Sequence, residues 1–219
     1  MLTTGLAQAE SLKSLVLFYD EVEEGVGAQS MRYLINKDFL RIDNGDAKAD
    51  FILFDVNKKL IFSINHEDQT VLKIDNHKWT RPLLNFKISV SDELMPDAPE
   101  IFNKAVYNYQ VKAEDQVCTQ VFMIKDAYPQ AMKVMYSYQQ VLSGQQVATL
   151  QNTPKSLHTP CFLLDQVYHA GDYYQSGLPV QITYSRGYAK LLKDIKDQEI
   201  DTRLFKIPAT YKEYKPFSN

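Results

Sequence analysis

The sequence predicts an α+β protein with a curved antiparallel sheet, an unclosed β-barrel, and two late helices covering its concave face. Five short apolar runs in residues 28–74 alternate with period two between turn-type clusters, which is typical of antiparallel strands. From residue 126 the apolar spacing changes to three and four, as in an amphipathic helix. Strand-like alternation returns after Gly177, so strands before and after the helices can share one sheet.

The segment 28–74 predicts an antiparallel meander with one apolar face. A first strand at 15–22 precedes it, and Glu21, Glu23 and Glu24 near that strand's end are expected to form a solvated edge. Asn44-Gly45-Asp46 provides one of the tight turns. The five apolar runs are 31–35, 40–42, 52–56, 60–64 and 71–74. A sheet face this wide must be covered by another layer.

Three more strands and the first helix follow the meander. The strands are predicted at 84–90, 105–111 and 117–124. Asp126 is the expected N-cap of the helix, with Pro129 in its first turn. The apolar stripe allows the helix to end near Ser143-Gly144 or to continue to Leu150.

The last part of the chain predicts a short helix and a final set of strands. Thr159-Pro160 is a cap followed by proline, and Gly171 is the expected stop. A strand follows at 180–184. Residues 188–200 fit either a helix or a strand. We predict a strand, because 203–207 offers it an antiparallel partner.

Composition favours one protein domain that binds no nucleic acid. The 219 residues carry 24 Lys and Arg against 27 Asp and Glu, with no dense basic patch. No apolar run reaches transmembrane length. Because no linker or repeat divides the chain, we expect a single half-barrel domain at 12–219 after a disordered tail at 1–11.

The tail and the cysteines both point to export. Ala7-Gln8-Ala9 matches the small-residue pattern at a signal-peptidase site, so the tail is expected to be a signal-peptide remnant. Cys118 falls on a predicted strand and Cys161 in the first turn of the second helix. They could be two buried thiols, but we prefer a disulfide, which would stabilise the fold by about 4 kcal/mol in the loop-entropy model.

The pattern resembles the half-barrel of periplasmic lipoprotein carriers (the LolA/LolB type) and related exported domains. The likeness lies in MRYLINKDFLRID with ADFILFDVNKKLIFSIN, in Gly177-Leu178-Pro179-Val180, and in Leu204-Phe205-Lys206-Ile207-Pro208 followed by Tyr211. This resemblance implies an open barrel with a helical lid over an apolar cavity, and a Phe-x-x-Pro closing strand. The cysteine pair and the late helices depart from the carriers, which indicates an exported relative.

No catalytic, cofactor or metal motif accompanies this pattern. His66, His77, His158 and His169 lack ligand spacing, and the nucleophile-elbow, phosphate-loop and dinucleotide motifs are absent from the sequence. We therefore expect no metal, no cofactor and no enzyme activity. A hydrolase would require titratable groups that converge in a cleft.

Two interpretations of the aromatic content remain open. Alternate strand positions can pack against the helices as a solid core, which would suit a cell-envelope protein-interaction domain. Alternatively, a cavity between sheet and lid holds a lipid or another apolar ligand, which we prefer, because Met and Tyr suit adaptable apolar binding. The residues expected to line that cavity are Tyr33, Phe54, Phe86, Tyr107, Tyr109, Met132 and Met135.

Overall fold

A computed structural model describes residues 10–80, 84–150 and 152–215. The signal-peptidase pattern lies outside these residues, and β1 already begins at Ser11, within the predicted tail. The strands are β1 (Ser11–Glu23), β2 (Gly27–Ile35), β3 (Phe39–Asp43), β4 (Phe51–Asp55), β5 (Leu60–Asn65), β6 (Thr70–Ile74), β7 (Ile88–Leu94), β8 (Val106–Ala113), β9 (Gln116–Lys125), β10 (Gly177–Tyr184), β11 (Tyr188–Asp201) and β12 (Lys212–Tyr214). The five runs of the meander thus form the five strands β2 to β6.

All twelve strands belong to one unclosed sheet, in the order β12-β6-β5-β4-β3-β2-β1-β11-β10-β9-β8-β7. Neighbouring strands are antiparallel, except that β12 runs parallel to β6. In the middle of the sheet β1 pairs with β11, from Ser11 opposite Asp201 to Glu23 opposite Tyr188. The ambiguous segment 188–200 is therefore a strand, as predicted, although its partner is β1 rather than residues 203–207.

Two helices lie between β9 and β10. Helix α1 (Pro129–Leu150) takes the longer of the two predicted lengths. It begins at Pro129, whose fixed φ suits a first helical position, so the predicted cap Asp126 lies too far upstream. Helix α2 (Pro160–Leu163) has the predicted cap, since the Thr159 hydroxyl accepts a hydrogen bond from the backbone N–H of Phe162. A π-helical turn at Leu164–Tyr168 continues it.

Both helices contact the sheet through a large hydrophobic core, which we call the main core. Alternate residues of the central strands, such as Leu15, Leu17 and Tyr19 of β1, face it. From α1, Tyr138 packs edge-on against Phe54 of β4, with ring centroids 5.8 Å apart. The predicted disulfide is present between Cys118 of β9 and Cys161 of α2 and joins the second helix to the sheet.

The opposite face of the meander is also apolar, which corrects the expectation of a single apolar face. Leu34, Leu53 and Ile64 there belong, with Val16 of β1, to a second, smaller core. Residues 203–207 do not form the predicted closing strand. Thr202–Phe205 is instead a 3-10 turn, capped where the Asp201 carboxylate accepts a hydrogen bond from the Arg203 N–H. Burial of Phe205 in the second core accounts for the change.

The strand predicted at 84–90 is displaced towards the C-terminus. β7 begins at Ile88 and extends through Asp92, Glu93 and Leu94, beyond the predicted end at residue 90. Its partner β8 ends at Ala113 opposite Ile88, so the residues before Ile88 have no strand to pair with. Within the described residues, no helix is both long enough and apolar enough to cross a membrane.

Candidate functional site

A cleft of about 830 Å³ lies between the first turns of α1 and the sheet, and we call it the lysine-rimmed cleft. Its walls are apolar residues of both layers. Leu15 of β1 and Ile35 of β2 face each other across the strand pair, and Val56 follows β4. Ala131 and Val134 of α1 form the opposite wall. Such a cleft has the size of ordinary small-molecule sites.

Three lysines surround the mouth of the lysine-rimmed cleft. Lys37 lies in the β2–β3 turn, Lys59 in the β4–β5 turn and Lys133 on α1, and all three are exposed. Lys37 pairs with Asp38 at 2.9 Å. Among the described residues, Lys59 and Lys133 have no ion-pair partner. The cleft therefore combines an apolar interior with a cationic entrance, which suits an apolar chain ending in an anionic group.

A second cavity of about 280 Å³ lies further along α1, and we call it the tyrosine cavity. Tyr33, Tyr138, Tyr184 and Tyr188 all contribute to its lining. Asp165, from the π-helical turn after α2, lines it as well. π-Helical turns occur often at functional sites, because they displace side chains from the ordinary helical spacing.

Glu21 is the centre of a hydrogen-bonded network in the tyrosine cavity, rather than part of the solvated edge that we expected. Lys190 Nζ lies 2.9 Å from Glu21 Oε1, and the Tyr188 hydroxyl donates to Oε2 at 2.5 Å. The Tyr33 hydroxyl donates to Glu21 and accepts from Lys190. Burial alone would raise the pKa of Glu21, but Lys190 and these hydroxyl donors outweigh it and lower the pKa.

The contact between Phe54 and Tyr138 lies among residues that line the two cavities. On β4, Phe54 lies between Ile52, which lines the tyrosine cavity, and Val56, which lines the lysine-rimmed cleft. On α1, Ser137 lines the cleft while Tyr138 lines the cavity. Phe54 is fully buried. The two spaces therefore share consecutive residues of α1, Ser137 and Tyr138, close to this aromatic pair.

The residues predicted from the sequence to line a cavity have several different locations. Tyr33 lines the tyrosine cavity, and Met132 lines a third cleft, of about 370 Å³, beside Tyr174. Phe54, Tyr109 and Met135 are buried in the main core, while Phe86 and Tyr107 pack against it half-buried. All seven thus contact the main core, yet the structure does not bring them together around one space.

Sequence reasoning missed the groups that give each cavity its polarity. Lys37 and Lys59 are in turns, where lysine is usually solvated, and only the packing of α1 gives them a common role. No sequence motif and no helical spacing links Asp165 to Arg186, so the sequence does not indicate that they line the same cavity. The alternation of Tyr184, Arg186, Tyr188 and Lys190 across the β10–β11 turn was the one available signal.

The tyrosine cavity brings together Glu21, Asp165, Arg186 and Lys190 with its tyrosines. In the described part of the chain, no group of three or more His, Cys, Asp or Glu side chains is placed to hold a metal ion.

No protein-family model matches this chain, and no curated protein matches it significantly. The solved structures that are similar to this chain include those of PNGF-II in the C2 and P21 space groups. The C2 structure has a TM-score of 0.46 at 10% identity, covering 94% of this chain and 31% of that one. For the P21 structure the TM-score is 0.43 at 10% identity, with 93% and 32% covered. The chain thus spans about a third of their length, and this likeness carries no inference about function.

Proposed function

We propose that this protein is a non-enzymatic, exported binding protein that holds or carries a lipid or another apolar ligand between its sheet and a helical lid. In this proposal α1 covers the concave side of the sheet, and the ligand's apolar chain lies in the lysine-rimmed cleft. The observation that carries it is the apolar wall formed by Leu15, Ile35 and Val134 beneath a cationic rim.

The ligand class follows from the chemistry of the cleft. Apolar walls favour an alkyl chain, which gains about 0.8 kcal/mol for each buried CH₂ group. Lys59 and Lys133 favour a carboxylate or phosphate at the end of that chain, since neither has a carboxylate partner among the described residues. A fatty acid or a single-chain anionic lipid meets both conditions.

The test is a titration of the whole chain with a fluorescent 16-carbon fatty acid and with the matching 16-carbon alcohol. We expect saturable binding of both, with the acid binding more tightly. In the double variant Lys59→Glu/Lys133→Glu, the acid should bind at least about tenfold more weakly, because repulsion replaces attraction at the rim. Binding of the alcohol should change little.

Lys155→Glu/Lys206→Glu is the matched control, because it changes the net charge equally at two exposed lysines that do not line the cleft. It should bind the acid like the wild type. Absence of saturable binding by the wild type would remove the proposal. Equal weakening by the control and the double variant would show that overall charge, rather than the rim, attracts the ligand.

The proposed location is the periplasm or another exported compartment. The disulfide between Cys118 and Cys161 supports it, because such bonds persist mainly in oxidising compartments. Non-reducing peptide mass spectrometry of the protein isolated from its native cells should find the two cysteines linked. Free thiols in that material would contradict export.

The alternative, a cell-envelope interaction domain, is favoured by β7. Among the strands that the structure describes, β7 is at one edge of the sheet and has β8 as its single neighbour. Its Val90 and Leu94 side chains are 46% and 51% exposed, and unpaired edges can accept another strand. A photo-crosslinker at Val90 should then capture one protein in cells that a crosslinker at exposed Leu157 does not. Identical products from both positions would oppose this alternative.

A further inference from the structure

Asp165 has a buried carboxylate oxygen that nothing in the described part of the chain satisfies. Only 6% of the residue is exposed. Its Oδ1 accepts a hydrogen bond from the Thr119 hydroxyl, whereas Oδ2 has no hydrogen-bond partner among the described residues. Buried polar atoms without partners are rare, because each loses its hydration without compensation. Since Asp165 borders the tyrosine cavity, a group in that cavity can provide the missing partner.

Arg186 supplies the opposite charge at the mouth of the same cavity. Its guanidinium lies 5.2 Å from the ring centroids of both Tyr184 and Tyr188. The side chain is exposed, and it forms no ion pair with any described residue. An arginine held against aromatic rings presents its remaining N–H groups in a fixed direction, which suits the two oxygens of a carboxylate.

The other charges of the cavity are already paired with each other. Glu21 is bound by Lys190 and by two tyrosine hydroxyls. One buried anion and one exposed cation, Asp165 and Arg186, therefore remain available in one small space. A ligand with a single charge would satisfy one of them and leave the other without a partner.

We propose that the tyrosine cavity binds a small zwitterion, a free amino acid with an apolar side chain. Its ammonium group pairs with Asp165, and its carboxylate pairs with Arg186 at the mouth. Met31, Ile52 and Leu142, which also line the cavity, contact the side chain. The nearby tyrosine rings favour the ammonium group through their negative faces. This proposal does not depend on lipid binding in the lysine-rimmed cleft.

Because Asp165 titrates near neutral pH, binding of a ligand's ammonium group should depend on pH. Burial raises the pKa of this carboxyl to about 7, although the Thr119 hydrogen bond and Arg186 oppose the change. A bound ammonium group would hold the carboxylate in its ionised form, so binding should be stronger at pH 8 than at pH 6. The charged and titratable groups around Asp165 are Arg186, Tyr184, Tyr188, Glu21, Lys190 and Tyr138.

The experiment is calorimetric titration of the full chain with L-leucine, glycine, N-acetyl-L-leucine and L-leucinamide. We expect L-leucine to bind and glycine to bind more weakly, because it lacks the apolar side chain. N-acetyl-L-leucine has no ammonium group and L-leucinamide has no carboxylate. Each should bind at least about tenfold more weakly than L-leucine, the usual effect of losing a charge-assisted hydrogen bond.

Two variants locate the site. Asp165→Asn keeps the shape of the side chain and Arg186→Gln removes the cation, and each should weaken L-leucine binding at least about tenfold. Arg203→Gln is the matched control, because Arg203 is exposed and far from the cavity in the 3-10 turn after β11. Fatty-acid binding should be unchanged in all three variants, so failure of this proposal is distinguishable from failure of the lipid proposal.

The proposal is overturned if none of the zwitterions binds the wild type, or if both site variants bind L-leucine as the wild type does. It is also overturned if N-acetyl-L-leucine binds as tightly as L-leucine. Circular dichroism checks that each variant is folded. If Asp165→Asn does not fold, the comparison of the four compounds on the wild-type protein decides the question by the same criteria.

Discussion

Single buried charges determine much of the chemistry of this protein. Asp43 and Asp165 are both carboxylates inside the fold, with opposite surroundings. Asp43 is fully buried and accepts hydrogen bonds from Arg32 Nε and Arg41 Nε, each at 2.5 Å. Asp165 accepts one hydrogen bond from a neutral hydroxyl. We therefore expect opposite dependences of their contributions on pH.

Asp165 should make the protein less stable as the pH rises. Its folded-state pKa of about 7 is above the ordinary value of 3.8, so the folded state binds more protons between these values. The contribution of Asp165 to the free energy of unfolding is complete near pH 4 and decreases as the pH rises to 7. The total decrease is at most about 4 kcal/mol. Asp165→Asn should remove this loss. Urea unfolding at pH 5 and pH 8 measures the difference, and parallel behaviour of both proteins would contradict the prediction.

Asp43 should have the opposite effect. Burial alone would raise its pKa, but the hydrogen bonds from Arg32 and Arg41 lower it, so its contribution is lost as the pH falls below the ordinary value. Asp43→Asn leaves the buried Arg41 without its counter-charge and should reduce the free energy of unfolding by about 3–5 kcal/mol. Asp115→Asn, in an exposed turn, is the control and should change it by less than about 0.5 kcal/mol. Equal losses of unfolding free energy in Asp43→Asn and Asp115→Asn would show that the ion pairs of Asp43 do not stabilise the fold.

At the scale of the elements, α1 owes its full length to tertiary packing. Gly144 lies inside the helix, where glycine is normally less favourable than alanine by about 1 kcal/mol. Here a Cβ at this position would lie 2.6 Å from the backbone carbonyl oxygen of His77. Gly144 therefore lets the segment after β6 cross the helix closely.

Gly144→Ala should consequently destabilise the protein, against the usual helix preference. The crowded Cβ should reduce the free energy of unfolding by about 1–3 kcal/mol, the range for overpacked positions. Lys133→Ala, on an exposed part of the same helix, is the control and should have little effect. Chemical denaturation measures both variants. A stabilised Gly144→Ala protein would show that the segment can move away without loss.

Elements defined by neighbouring residues could be predicted, while those defined by distant partners could not. The cap at Thr159 needs only the N–H of Phe162, three residues away, and it was visible in the sequence. Residues 203–207 have strand-like alternation, yet Phe205 stacks on Phe39 with ring centroids 5.7 Å apart. That contact joins positions far apart in the chain, and no local pattern specifies it.

The same reason limits the prediction of the candidate sites. Apolar strand residues identified a sheet face that packs against α1, and Tyr33, one of the seven residues predicted to line one space, lines the tyrosine cavity. The lysines at the rim, and Asp165 with Arg186, meet only after α1 and the β10–β11 turn have packed. Their residue types are ordinary for turns and helices, so their sequence context contains no signal of the shared role.

At the scale of the whole molecule, we expect the Phe54–Tyr138 pair to limit both spaces beside α1. Phe54→Ala should connect the lysine-rimmed cleft with the tyrosine cavity. The variant should also lose about 3–5 kcal/mol of stability, because Phe54 is fully buried. If the cleft binds fatty acids, the preferred chain length should increase in the variant.

Affinities for saturated fatty acids of 8 to 18 carbons measure this change. Phe39→Ala is the control, because Phe39 packs against the second core on the other face of the sheet. It should leave the preferred chain length as in the wild type. An unchanged preference in a folded Phe54→Ala protein would show that the aromatic pair does not limit the ligand.

The pairing of β1 with β11 has a consequence for how the chain is made. Ser11 pairs with Asp201, so β1 lacks one neighbour until the chain has been synthesised through residue 201. The hairpins from β2 to β6 can assemble early, because each joins segments adjacent in sequence. The pairing of β1 with β11 joins residues that are far apart in the sequence, and such contacts form slowly. Until then the nascent protein keeps one side of β1 open to association with other chains.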